Sequence, residues 1–120
     1  MRMFEHDEHV NFIDSKDRFV GYEFGQCCCE LVGWSITRTL PEDGADEVPN
    51  PIADFDLAGY DFDPDFFAEI VDAGEGGFAV FRLRKADDEV YLVIYNHHNG
   101  YYSHGFTARV GGVVPSEGSL

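Results

Sequence analysis

The sequence predicts an α+β domain dominated by antiparallel sheet, a meander with an Asn-Gly hairpin, and one short helix laid over a face. Three observations predict it. Asn99-Gly100 separates two alternating apolar stretches, and Asn-Gly is the strongest short hairpin signal, because a type I′ turn needs positive φ at both central residues. Arg18 to Phe24 alternates, with Val20, Tyr22 and Phe24 on one face. Asp63-Pro64 opens a stretch with Phe66, Phe67, Ile70 and Val71 at helical spacing and Gly74 beyond them, which supplies an N-cap, a first-turn proline and a stop.

Taken in order, His9 to Asp14 reads as a short strand and Ser15-Lys16-Asp17 as a turn into the strand Arg18 to Phe24. Gly25-Gln26 breaks the run. Cys27 to Leu40 is extended, with Cys28, Val32, Trp34 and Ile36 on one face, and Pro41-Glu42-Asp43-Gly44 ends it with turn chemistry. Residues 41–62 read as loop, with Ile52 to Leu57 as the one stretch there that fits a strand. After the helix, Phe78 to Lys85, Glu89 to His98 and Tyr101 to Val110 form a three-strand meander. The core draws on Val20, Tyr22, Phe24, Trp34, Phe67, Ile70, Phe81, Leu83, Val93 and Phe106. A single domain of residues 1–120 is expected, its core spanning about 9–110, between a frayed acidic N-terminal segment and a polar tail from Gly111.

Composition excludes several classes of function. Apolar residues make up 44% and aromatic residues 15%, enough to fold and not to remain a disordered tail. Asp and Glu number 23 against eight Lys and Arg, for a formal net charge of −15. Nucleic acid is excluded as a partner, since binding phosphates requires clustered cations, and anionic membranes are disfavoured for the same reason. No apolar run approaches the ~20 residues of a membrane helix, and Met1 to Glu8 lacks the apolar stretch of a signal peptide. A cytoplasmic location is expected. The acidity itself has three readings: solubility in salty surroundings, attraction to a basic partner, or imitation of nucleic-acid phosphates.

The three cysteines are consecutive, Cys27-Cys28-Cys29. Neighbours seldom meet disulfide geometry, and an odd number cannot pair completely within one chain, so three free thiols in a reducing compartment are expected. A nucleophilic thiolate needs a cation or a helix N-terminus. Glu30 and the anionic chain favour the neutral thiol, so buried structural thiols are the better reading and an enzymatic role is not favoured.

Two segments, Gln26-Cys27-Cys28-Cys29-Glu30 and Asn99-Gly100-Tyr101-Tyr102-Ser103, together with the strand Val90 to Tyr95, resemble an uncharacterised bacterial and phage domain family. Its members carry an early Asp-Cys-Cys-Glu segment and a late Asn-Gly-Tyr-Tyr-Ser hairpin. Cys27 stands where the family usually has Asp, and the acidic stretch 41–62 does not align. The resemblance implies a small β-rich domain and supplies no mechanism.

A two-residue turn at Asn99-Gly100 would pair His98 with Tyr101, His97 with Tyr102, Asn96 with Ser103 and Tyr95 with His104. Tyr95, His97, Tyr102 and His104 would then share a face, with His97 and His104 as diagonal neighbours ~7–8 Å apart. Cys27, Cys29, His97 and His104 are therefore candidate zinc ligands, although no Cys-x-x-Cys spacing supports them and ordinary surface histidines are the simpler reading. No cofactor is expected, with zinc as the alternative. Asp61, Asp63, Asp65, Glu69 and Asp72 echo a calcium loop, but Phe66 stands where that loop needs glycine. His6-x-x-His9 lacks the i, i+4 spacing of zinc peptidases.

The leading expectation is a small, acidic, non-enzymatic interaction domain. Between Glu42 and Asp65 lie nine carboxylates and no Lys or Arg: Glu42, Asp43, Asp46, Glu47, Asp54, Asp56, Asp61, Asp63 and Asp65. They are the candidate contacts to a basic protein partner. The alternative is a Cys/His metal-binding domain or metalloenzyme. The oligomeric state is not assigned.

Overall fold

The computed structural model describes residues 1–25, 31–42, 48–72, 76–97 and 104–120. They form nine strands: β1 Arg2–His6, β2 His9–Ile13, β3 Phe19–Glu23, β4 Leu31–Thr37, β5 Asp61–Asp72, β6 Gly76–Lys85, β7 Asp88–His97, β8 Gly105–Arg109 and β9 Glu117–Ser119. One sheet has the order β1-β2-β3-β8-β9 and the other β4-β7-β6-β5, and every pairing is antiparallel.

Period-two alternation explains how the sheets pack. Val10 and Phe12 of β2, Val20 and Tyr22 of β3, and Phe106 and Ala108 of β8 turn inward from the first sheet. Ala79, Phe81 and Leu83 of β6 and Val90, Leu92 and Ile94 of β7 meet them from the second. Aromatic rings bridge the layers: Phe12 meets Trp34 edge-on at 5.2 Å and Phe81 meets Phe106 at 5.7 Å. The outward face of the second sheet carries its own smaller cluster, Phe78, Val80 and Val93, flanked by Phe66, Ile70, Tyr91 and Tyr95. Of the expected core, Ile70 and Val93 belong to this second cluster and the other eight to the first.

The domain is therefore all-β, and the expected α+β class with a helix is corrected. No helix occurs among the described residues, and none there is long and apolar enough to cross a membrane. The residues from Asp63 onward belong to β5. Their apolar spacing fits a helix with one buried face, but it fits equally a strand covered on both faces. Phe67 packs inward against Phe81 and Phe106, while Phe66 and Ile70 pack outward around Phe78 and Val80. The Asp63-Pro64 signal marks a bulge. Between Phe62 and Phe67 the chain takes five steps, while β6 takes two from Leu83 to Phe81, and a bulge is where a sheet tolerates proline.

The meander also needs correction. β6 and β7 pair as expected, but β8 joins the other sheet, between β3 and β9. Tyr95 lies between Gly33 of β4 and Phe78 of β6, so both hydrogen-bonding edges of β7 are taken and Tyr95 does not pair with His104. Asn99, Gly100, Tyr101, Tyr102 and Ser103 lie outside the described residues. Ile52 to Leu57 forms no strand. Both ends expected to fray are paired: β1 with β2, and β9 with β8, with Val114 and Leu120 buried.

Candidate functional site

The acidic segment divides into carboxylates the fold uses and carboxylates it leaves to solvent. Asp61 Oδ1 accepts the Ser15 amide at 3.0 Å and the Ser15 hydroxyl at 2.7 Å. Burial works against its charge, but those two hydrogen bonds outweigh it and keep the carboxyl below its ordinary range. Asp63 is buried in the bulge. Its Oδ2 accepts Arg82 Nε at 2.8 Å and Arg84 Nε at 2.6 Å, and its Oδ1 accepts the Asp65 amide at 2.8 Å. Burial again opposes the charge, and the Asp65 amide with the two guanidinium groups lowers the pKa regardless. Glu42, Asp54, Asp56 and Asp65, by contrast, are exposed. Asp43, Asp46 and Glu47 lie outside the described residues.

A second charged cluster sits where the loop before β5 meets the β6–β7 turn. Arg38 grips Asp88 with both terminal nitrogens, at 2.6 and 3.1 Å, and donates to the Glu89 carbonyl at 3.2 Å. The Tyr60 hydroxyl donates to the same carboxylate. Arg38 first, then Tyr60, hold the Asp88 carboxyl down to about 2, and the same bond together with burial pushes the Tyr60 phenol up. Lys85 Nζ lies over the Tyr60 ring at 5.6 Å. Nothing local in the sequence announced this cluster, because Arg38, Tyr60 and Asp88 meet only through the tertiary fold.

The four candidate zinc ligands fare unevenly. Cys27 and Cys29 lie outside the described residues. His97 ends β7 in the second sheet, and its ring stands edge-on to Phe78 at 5.2 Å, its Nε2 buried and without a hydrogen-bond partner among the described residues. His104 precedes β8 in the first sheet and is buried. Its Nδ1–H donates to Glu23 Oε2 at 2.5 Å and to the Glu23 carbonyl at 3.1 Å. One side of that imidazole is thus engaged within its own sheet. Among the described residues no group of three or more His, Cys, Asp and Glu side chains is placed to hold a metal ion. Residues 61–72 form a bulged strand, so the calcium-loop echo does not fold as a loop.

Other polar groups that the sequence did not single out hold the layers together. Asp14, buried, accepts the Lys16 and Arg18 amides through Oδ1 and the Phe62 amide through Oδ2 at 3.0 Å. Arg18 Nη1 returns a bond to the Phe62 carbonyl at 2.5 Å. Tyr22 donates across the sandwich to the Tyr95 carbonyl at 2.7 Å. The turn at Ser15-Lys16-Asp17 was visible in sequence; the role of Asp14 in it, and its link to Phe62, were not.

No protein-family model, curated protein or solved structure matches this chain.

Proposed function

We propose that this domain is a non-enzymatic acidic binding module that captures a basic protein partner. One observation carries the reading: among the described residues the fold engages six of its eight Lys and Arg side chains itself, all but Arg2 and Lys16, and leaves carboxylates outside. Arg38 is held by Asp88, Arg82 and Arg84 by Asp63, and Arg18 by a backbone carbonyl. Lys85 and Arg109 lie over the Tyr60 and Phe19 rings. The exposed carboxylates Glu42, Asp54, Asp56 and Asp65 are left to set the local field. A surface of one sign raises the encounter rate with an oppositely charged partner and loses that advantage as salt rises.

The test compares two charge-neutralised variants for binding to polylysine across a salt series. One replaces Glu42→Gln, Asp54→Asn, Asp56→Asn and Asp65→Asn. The other makes the same number of changes on the remaining surface, at Asp17, Glu69, Asp87 and Glu117. The reading expects the first set to weaken binding clearly more than the second, with a shallower salt dependence. Equal losses from both sets would mean that the acidity is general solvation, and the proposal would fall.

A further inference from the structure

Two open sheets have four edge strands, here β1, β9, β4 and β5. An edge exposes unpaired N–H and C=O groups and invites another strand, so proteins blunt edges with proline, bulges, lysine, short length or a covering segment. Three of the four edges are blunted in this way. β5 is bulged and carries Pro64, whose carbonyl accepts the Val113 amide at 2.9 Å. β9 is only three residues long. Along β4, the Ile52 amide donates to the Ile36 carbonyl at 2.8 Å and the Thr37 hydroxyl to the Pro49 carbonyl at 2.7 Å, which lays the 48–52 segment against that edge.

Among the described residues, β1 has none of these devices along Arg2 to His6; the one contact at its end is the Met1 amine donating to the Leu57 carbonyl at 3.0 Å. Its register with β2 is unbroken from Arg2 to His6, it holds neither proline nor lysine, and all five of its residues are exposed. Met3 is 39% and Phe4 46% exposed. The two-residue turn at Asp7-Glu8 has φ of 49° and 62°, the signature of a type I′ hairpin, which makes His6 and His9 the hydrogen-bonded closing pair. Antiparallel alternation then directs the N–H and C=O groups of Met3 and Glu5 away from β2, toward the open side.

We propose that β1 is a docking edge for an extended peptide of alternating basic and apolar residues, which adds to the first sheet as a sixth strand. The partner's charge follows from what surrounds the edge. Glu5, Asp7 and Glu8, with His6, line a cleft beside the hairpin that Phe24, Gly25 and Val32 complete. Glu8 stands in the turn itself, its carboxylate close beside Gly25, while Glu23, two strands away from β1, is engaged by His104. Arg2 is the single Lys or Arg in residues 1–15. Met3 and Phe4 present apolar contacts on opposite faces of the strand. The partner's charge rests on the reading above; its extended form rests on the edge alone.

The probe is an acetylated, amidated peptide of about seven residues alternating Lys and Val, a length matched to one strand, with a Glu/Val peptide beside it. Fluorescence anisotropy should show the Lys/Val peptide binding wild type at least about ten-fold tighter than Met3→Pro, which removes an outward N–H that β2 does not use. Met3→Lys, a natural edge protector that leaves the hairpin intact, should weaken it comparably. The Met3 and Glu5 amides should gain hydrogen-exchange protection on binding. Equal binding to wild type and both variants, or none up to ~1 mM, overturns the proposal. A wild-type dimer that Met3→Pro converts to a monomer also overturns it, by assigning the edge to a second copy. If the Glu/Val peptide binds as well and Met3→Pro abolishes it, the edge stands and the basic-partner reading falls. If Lys/Val binding responds only to the Glu42, Asp54, Asp56 and Asp65 changes, the reading stands and the edge falls.

Discussion

β5 and β1 are both edge strands, and they are built on opposite principles. β5 runs twelve residues, buries side chains toward both faces and is kinked by a bulge that Asp63 fastens to Arg82 and Arg84. β1 runs five residues, and every one of them is exposed. One edge is closed by its own chain through side chains and backbone. The other contributes a regular ladder to β2 and nothing to the core. Stability should therefore concentrate around β5, β6 and β7, where single substitutions remove several contacts together. β1 should tolerate almost anything that keeps it extended, and what it does carry is surface.

The largest expected effect lies where β5 meets the core. Phe81 is 1% exposed and its ring meets Phe62, Phe67 and Phe106. Phe81→Ala should cost ~3–5 kcal/mol in urea denaturation, the range for truncating a fully buried aromatic residue. A loss under ~1 kcal/mol would mean that the bulged strand is not seated on this ring. Next comes the brace behind the bulge. Gly112 has φ of 60°, and a Cβ there would strike the Pro64 carbonyl. Gly112→Ala should cost ~2–3 kcal/mol, since both the backbone conformation and the space forbid the side chain. An unchanged melting curve would show that the 111–114 segment does not brace the bulge.

The contrast between these edges was only partly legible in the sequence. β2 and β3 could be read because each alternates cleanly with one face in the main core, and β6 and β7 because their β-branched and aromatic runs, though buried on both faces, are bounded by turn signals. β5 could not, because burial on both faces erases the alternation, and Asp63-Pro64 offers the same letters to a helix start and to a bulge. The pairing of β8 was missed because Asn99-Gly100 is a local signal, whereas the choice of sheet is tertiary: β7 already had β4 and β6 on its two sides. The open edge was hidden as well. Arg2 to His6 reads as a charged leading segment until a type I′ turn at Asp7-Glu8, without the usual Asn or Gly, folds it back on β2. Asp61 and Asp63 looked like the rest of the acidic segment because a carboxylate's partner, here Ser15 for one and two arginines for the other, cannot be read from its neighbours.

The two ion clusters, at Asp63 in β5 and at Asp88 where β7 begins, make a third, smaller prediction with a defined sign. Asp63 and Asp88 both titrate in the folded protein below their ordinary value of 3.8, Asp88 at about 2. A lowered folded pKa means that the unfolded chain binds more protons, so this stabilisation is complete above about pH 4 and is lost as the pH falls through the folded values. The urea midpoint should hold steady from about pH 7 to 5 and drop between about pH 4 and 2. Asp63→Asn should cost about 2 kcal/mol at neutral pH, less than a fully buried pair would because Arg84 is half exposed. It should also flatten the acid limb. A variant that keeps the full acid dependence would show that Asp63 does not carry its share.

The smallest effect on stability is expected at β1, and it is the sharpest test of the comparison. Phe4 is 46% exposed, stands opposite Asn11 and touches no buried cluster. Phe4→Ser should change unfolding free energy by less than ~0.5 kcal/mol, as surface substitutions do, while serine keeps the backbone free to stay extended. The same variant should weaken capture of the Lys/Val peptide, because an apolar contact is lost from one face of the added strand while the outward groups of Met3 and Glu5 remain. If instead Phe4→Ser lowers stability by more than ~1 kcal/mol, β1 is packing and not surface, and the distinction between a closed and an open edge fails at its weaker end. A variant silent in stability and weakened in capture would separate what the strand does for a partner from what it does for the fold.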